Sequence, residues 1–333
     1  MSISSLLDSY EKASLYSGAN AAIWYSHHLA NRLAKVAARE EDYVATLVTD
    51  GLLHLAERWS KLLEPRRIAI HVAGVFCHGH PQVAFGNSSS QVELADLLIV
   101  HRHASRNRST ARAILLQAKM STDGTLALAS DDKQLELYSK WPPFRFVTGG
   151  LASGDRDLNE KGKGSRYALI LQGSAYPEQI TWADQCPWAA SVANRQLSAA
   201  SSLAKLLGDM LLGKEGRPFR QDRPRDQWSR MILELLRVTG KRTYKRTNIG
   251  RGDTPRLAAG PTAAAGLMFM ASGTLPARVP PQAHVRSFSR RFFAAAPLAD
   301  NGGDRIDDLP RSPGQAGEGG VSTLIIETSE IND

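Results

Sequence analysis

Apolar positions along the chain follow two different periods. Between about Arg39 and Leu63, Val44, Val48, Leu52, Leu55, Trp59 and Leu62 recur at steps of three and four, which predicts a helix with one apolar stripe. Pro65 ends it, and the run RRIAIHVAGVFC reads as the first strand of a sheet. From Val92 to Met120 the period shortens to two. VELADLLIV and ARAILLQAKM read as two short strands joined by a basic, turn-prone loop, HRHASRNRSTAR. Alternation puts Val92, Leu94, Asp96, Leu98 and Val100 on one face of the first strand, and Leu115, Gln117 and Lys119 on one face of the second. A hairpin folded about a midpoint near Arg106 pairs Val100 with Ala113 and sets Asp96 opposite Gln117, with Cβ atoms about 4.5–5.5 Å apart. Asp96, Gln117 and Lys119 then converge at the end of an otherwise apolar hairpin. Buried polar groups are costly unless something uses them.

Further elements surround this hairpin. Ile3 to Lys35 is helical in character, with Tyr16, Trp24 and Tyr25 available for packing. In DDKQLELYSKWPPF, Asp131 or Asp132 can cap a helix that Pro142-Pro143 stops, and Gln134 and Tyr138, four apart, share one face of it. RYALILQG is another apolar strand. A helix is expected over Asn194 to Leu212 and another around Trp228 to Val238, and VSTLIIET reads as a last strand that returns to a sheet. The segments divide into 1–38, helical; 39–190, an α/β core; 191–253, a helical and basic extension; and 254–333, an Ala/Gly/Pro-rich stretch of long connections with a terminal strand. The fold class expected is α/β, a central mixed sheet flanked by helices.

Composition narrows the setting. With 333 residues, 42% hydrophobic and 22% charged, the chain is long enough for a substantial core and has the make-up of a globular protein. Two cysteines, Cys77 and Cys186, are too few for a disulfide framework and suit a reducing compartment. The start, MSISSLLDSYEKAS, carries Asp8 and Glu11 where a signal peptide would be basic and then apolar, and the Gly, Pro, Ser and Thr of Leu257 to Ala277 make that uncharged stretch too polar for a membrane span. The expectation is a cytoplasmic protein with no membrane partner. An excess of 41 Lys+Arg over 33 Asp+Glu, a net +8, suits a polyanionic partner.

That excess has two visible concentrations. Arg102, Arg106, Arg108 and Arg112 fall in the hairpin loop with His101 and His103, and Lys241, Arg242, Lys245 and Arg246 surround Tyr244. Both patterns suit contacts to a nucleic-acid backbone, and both also describe a solvated loop. A third cluster, CHGHP with His71 upstream, offers Cys77, His78 and His80, but no second cluster completes a zinc site, so a turn is the reading taken. Glu41, one turn before Val44 and with Glu40 close by, lies at the edge of the apolar stripe; Glu40, Glu41 and Asp42 also complement the positive end of that helix.

Asp96, then Gln117-Ala118-Lys119 after twenty intervening residues, then Gln134 and Tyr138 resemble the PD-(D/E)xK nuclease superfamily. The QxK variant is like that of Mrr-type restriction endonucleases, and the QxxxY helix is like that of RecB-type nucleases. The likeness covers about Arg39 to Gly173, in the order helix, strand, hairpin, helix, strand. It implies a restriction-endonuclease-like core and hydrolysis of DNA phosphodiesters with Mg²⁺ or Mn²⁺, with bacterial genome defence as the setting. It further implies Asp96 as the main metal ligand, the Gln117 amide oxygen and the Ala118 carbonyl as neutral partners, and Lys119 on the attacking water and the developing charge. Glu41, Gln134 and Tyr138 would support them from the two helices. Gln117 stands where the family commonly has an acid, which removes one negative charge and leaves metal binding dependent on substrate phosphate. The rival readings are a degenerate nuclease fold kept for binding nucleic acid, RNA included, and an interaction subunit that docks a partner protein or a second copy.

Overall fold

The computed structural model describes residues 2–77, 81–86, 91–106, 108–148, 151–159, 162–172, 185–239, 268–272 and 320–331. A short helix α1 (Ile3–Leu6) leads into α2 (Ser9–Leu33). Asp8 and Glu11 begin α2 with a capping box, each side chain accepting the other's backbone N–H. The predicted stripe helix is present as α3 (Glu40–Thr46), a π-turn over Leu47–Gly51, and α4 (Leu52–Leu63). Strands β1 (Ile68–Val75), β2 (Gln82–Phe85) and β3 (Val92–Glu93) follow, then the hairpin β4 (Leu97–Ser105) and β5 (Arg108–Ser121), and β6 (Thr125–Ala127). Helix α5 (Lys133–Lys140) is capped by Asp132 and stopped at Trp141, whose left-handed backbone (φ 44°) precedes the two prolines. The chain continues through β7 (Phe144–Phe146), β8 (Ser165–Leu171), β9 (Trp188–Ser191), β10 (Gln196–Ser198), α6 (Leu203–Leu211), β11 (Arg217–Phe219), α7 (Gln227–Thr239), β12 (Met268–Ser272) and β13 (Ser322–Glu330).

The result is an α/β fold with a central mixed sheet in the order β12-β1-β13-β4-β5-β8-β9. β13 runs parallel to β4, β8 runs parallel to β5, and the other neighbours are antiparallel. β11 and β8 share one edge of β5, at Ala111–Ala113 and Leu115–Ser121 respectively. The strand read from VSTLIIET does return to the sheet, and it takes a place at the centre. Its buried run, from Ser322 to Thr328, contains Leu324, Ile325 and Ile326, the unalternating pattern of a strand covered on both faces. Residues from all four segments drawn from the sequence join one apolar cluster, which includes Ile3, Val72, Leu207 and Ile325. Those boundaries therefore do not separate independent cores.

Two local expectations are corrected. The basic loop of the hairpin is mostly strand: β4 extends to Ser105 and β5 begins at Arg108, so the reversal occupies only the tip. Residues 194–202 do not continue the helix of α6, because β10 intervenes and Ser202 caps the helix that follows. Between β7 and β8, Arg156 is buried, bonds Phe144 through the backbone and holds Glu234 at 2.6 Å. His78, His80, Asn87 to Ser90, Lys241, Arg242, Tyr244, Lys245 and Arg246 lie outside the described residues.

The helices divide between the faces of the sheet. α4 lies over β1, and α6 reaches β4 through a bond between the Met210 carbonyl and His101, on the same face. α5 covers the opposite face, where Tyr138 meets Tyr167 of β8. Gly74 of β1 allows the π-turn to approach: a Cβ there would sit 1.8 Å from the Val48 carbonyl oxygen. Two histidines are buried in this packing. His27 stacks on Tyr43 and its Nδ1 accepts the Trp188 indole N–H at 3.2 Å; His101 lies between Met210 and Thr328. Burial pushes both rings down to about 3.

Two predictions follow from this packing. Gly74→Ala is expected to lower stability by about 2 kcal/mol or more, because backbone rather than a pliable side chain blocks the new methyl. Denaturant midpoints check it, and an unchanged midpoint would mean that the helix does not press on β1. Acid is expected to destabilise the fold from about pH 6.5 downwards, since unfolded histidines take up protons there while His27 and His101 stay neutral in the fold until about 3. At pH 4.5 the loss is about 3 kcal/mol for each. Urea melts between pH 7 and 4.5 should show it, with His101→Gln flattening the dependence; a profile level down to pH 5 contradicts the assignment.

Candidate functional site

The hairpin register is the one the alternation predicts. Val100 pairs with Ala113 and Leu97 with Leu116, so Asp96, just before β4, falls opposite Gln117. The Asp96 backbone N–H completes the ladder by donating to the Leu116 carbonyl at 2.9 Å. Its carboxylate turns back on the neighbouring strand: Oδ2 accepts the Ala118 backbone N–H at 2.7 Å and a short bond from Gln117 Nε2. Asp96 is 7% exposed and Gln117 3%. The amide that donates to Asp96 leaves its own oxygen without a hydrogen-bond partner, and Gln117 Oε1 is buried in that condition. An unmet buried acceptor costs about 1–3 kcal/mol.

Successive residues of a strand direct their backbone groups to alternate edges. The edge of β5 that faces Asp96 through Ala118 N–H is also the edge of Met120, whose N–H donates to Glu40 Oε1 at 3.2 Å. The Ala118 carbonyl lies on this edge between the two donors, so two carboxylates bracket it. Glu40 of α3 bonds β5, and the expected Glu41 is half-buried beside it. The signal was present in the stripe: Glu40, Val44, Val48 and Leu52 are successive steps of four, whereas Glu41 required a step of three. Asp42 does serve the helix start, accepting the Arg39 backbone N–H at 2.9 Å.

Lys119 shares the Gln117 face of β5, about 7 Å further along the strand, and is half-buried. It makes no ion pair among the described residues. Tyr138 of α5 is committed inside the protein, close to Asp96. It is buried, stacks on Trp141 and meets Tyr167 at a tilt, with ring centroids 5.4 Å from each, and its hydroxyl donates to the Leu94 carbonyl at 2.8 Å. Burial, with the nearby Asp96 charge and Tyr167 adding to it, holds the phenol well above its usual range, so it remains a neutral donor. Tyr138 thus anchors α5 to the segment that carries Asp96. Gln134, one turn earlier, is half-buried.

The hairpin arginines do not gather beside Asp96. The tip near Arg106 is ten residues away along β4, roughly 30 Å at the rise of a strand. Arg102 is committed on the sheet, with Nη1 donating to Glu327 Oε1 at 2.6 Å and Nε to Gln221 Oε1 at 2.8 Å. Arg112 faces the other side, and its Nη1 donates to the Gly216 carbonyl at 2.8 Å. Arg106 and Arg108 are exposed.

The oxygen set at the hairpin's end (Asp96, Gln117 Oε1, the Ala118 carbonyl and Glu40) is of the hard type that Mg²⁺ and Mn²⁺ prefer. Among the described residues, no group of three or more His, Cys, Asp or Glu side chains could hold a metal ion, so a metal here would depend on the amide and backbone oxygens. No helix among those residues is long and apolar enough to cross a membrane. No family model matches the chain, and neither the curated proteins nor the solved structures contain a match to it.

Tyr138→Phe is expected to leave the Leu94 carbonyl unmet and lower stability by about 1–2 kcal/mol. Denaturant titration checks this. A variant as stable as the parent would detach α5 from the positioning of Asp96.

Proposed function

We propose that the protein is a divalent-metal-dependent nuclease that hydrolyses DNA phosphodiesters on a restriction-endonuclease-like core. The observation that carries this reading is the meeting of Asp96 with Gln117 at the end of a hairpin. It leaves a buried, unpartnered amide oxygen on the residue before Ala118, with Glu40 arriving from α3 at Met120. The element order supports it as well: helix, strand, antiparallel hairpin, helix, and a strand parallel to the second arm. β13, between β1 and β4, is an addition to that order.

The donor set fits Mg²⁺ or Mn²⁺ held by Asp96, the Ala118 carbonyl and Gln117 Oε1, with Glu40 as a further carboxylate. When bound, such an ion polarises the phosphate and lowers the pKa of an attacking water. Within the chain, Asp96 supplies the fixed negative charge, oriented by the Ala118 N–H. Gln117 supplies a neutral oxygen in place of a second charge. Lys119, on the same face, stabilises the negative charge that develops on the phosphate and orients the water.

A second reading has its own observation. The Asp96 carboxylate already accepts two protein N–H groups, as a purely structural tie would, which favours a non-catalytic module that binds nucleic acid on the same fold.

Supercoiled and linear DNA incubated with Mg²⁺ or Mn²⁺ separates the two. The nuclease reading expects cleavage that falls by about 10²-fold or more in Asp96→Ala and Lys119→Ala. Gln117→Glu, which restores an acid, should lower the metal concentration needed. Folded wild-type protein that cuts no DNA with either metal, or variants that cut as well as wild type, would end that reading. Binding without cleavage that weakens steeply with salt would establish the second.

A further inference from the structure

The far end of the hairpin carries a second group of polar residues that the proposed nuclease does not use. On the face opposite Gln117, the register sets His101 beside Arg112, His103 beside Thr110 and Ser105 beside Arg108, with Thr328 of β13 next to His103. These strands form the floor of a cleft of about 510 Å³. Ile3, Leu211 and Leu212 supply an apolar wall, and Arg106, Arg108 and Arg112 supply the charge. Three guanidiniums against one lining carboxylate, Glu330, leave an excess of two positive charges. Glu330 is itself engaged, accepting the Arg106 backbone N–H at 3.2 Å.

The floor is held rigidly. The Met210 carbonyl can only accept, so His101 Nδ1 carries the proton it donates there, at 3.0 Å. His101 Nε2 must then accept from the Thr328 hydroxyl, also at 3.0 Å. The Arg102 carbonyl is a second, longer acceptor for that hydroxyl at 3.4 Å; with the proton on the shorter bond to His101, Thr328 Oγ1 accepts from His103 Nδ1–H at 3.0 Å. One carbonyl thus fixes a relay of three side chains beneath the arginines. The His101 ring is neutral in this arrangement and adds no charge to the cleft.

We infer that this cleft binds the phosphomonoester group of a small organic molecule. Such a group carries close to two negative charges near neutral pH, which matches the excess of the lining. Its oxygens accept the donors of the exposed guanidiniums and the hydroxyl of Thr110, whereas the Ser105 hydroxyl is spent on the Arg108 carbonyl at 3.0 Å. The volume lies in the range of small-molecule sites, and the apolar wall gives the rest of the molecule a surface to cover. The cleft lies on the other face of the sheet from Gln117, its near end at His101 about 17 Å along β4 from Asp96 and its far end at Arg106 about 30 Å away, so the two sites are separate.

Calorimetric titration of the full chain in EDTA, with adenosine 5′-monophosphate, adenosine and inorganic phosphate, tests the inference. The monophosphate should bind at least about tenfold more tightly than adenosine, and inorganic phosphate should compete with it. Arg108→Gln, at an exposed position, should weaken the monophosphate about tenfold without changing thermal stability, and Thr110→Val should weaken it less. Asp96→Ala should leave it unchanged. Comparing an oligonucleotide with and without a 5′-phosphate identifies the source of the group: preference for the phosphorylated end that Arg108→Gln abolishes would make that source a nucleic-acid terminus. The assignment is overturned by equal binding of adenosine and its monophosphate, by no binding of either phosphate, by indifference to Arg108→Gln, or by loss in Asp96→Ala.

Discussion

The register of the β4–β5 hairpin is the constraint on which the rest of the molecule depends. A side-chain period of two means that a slip of one residue would send Gln117 and Lys119 to the opposite face, and with them every apolar partner of the sheet. Leu97, Leu98, Ile99 and Val100, with Ala113 to Leu116 across the ladder, are buried on both sides, so such a slip would leave the packing of α4, α5 and α6 without matching surfaces. The polar groups inherit their places from this apolar choice. Asp96 meets Gln117 at one end, and His101 meets Arg112 toward the other, because the same ladder fixes both.

The positive charge of the chain is shared out rather than concentrated. Arg102 is tied to Glu327 within the sheet, Arg156 to Glu234, and Arg112 to a backbone carbonyl. A guanidinium inside a protein needs such partners, since a desolvated charge without them is expensive. Arginines that lie within eleven residues of one another in sequence therefore act on opposite faces of one sheet. Counting them as a patch, as the linear sequence invites, overlooks the alternation that the strands impose.

Much of the candidate site was legible because it depends on local periods. Alternation located Asp96 opposite Gln117, and the Asp132 cap and the two prolines bounded α5. What escaped was decided by tertiary contacts. The Gln134–Tyr138 spacing gave a shared face but not its direction, and Tyr138 turned inward because the Leu94 carbonyl needed a donor. Glu40, which bonds the Met120 N–H, was passed over in favour of its neighbour because one helical turn is neither three residues nor four. The extent of the hairpin was underestimated since His, Arg and Ser read as loop residues, although β13 and β11 flank them as strand partners.

The position of β13 has a consequence for biogenesis. β1 and β4 are complete in the chain more than two hundred residues before Ser322, yet each must keep an edge open until that strand arrives. During synthesis at about 5–20 residues per second, these edges remain unpaired for roughly ten seconds or more. They are apolar, and an open apolar edge is a template for pairing with any other chain. The nascent chain therefore carries open sheet edges, a liability for pairing with other chains, until the last strands of the sheet have been made.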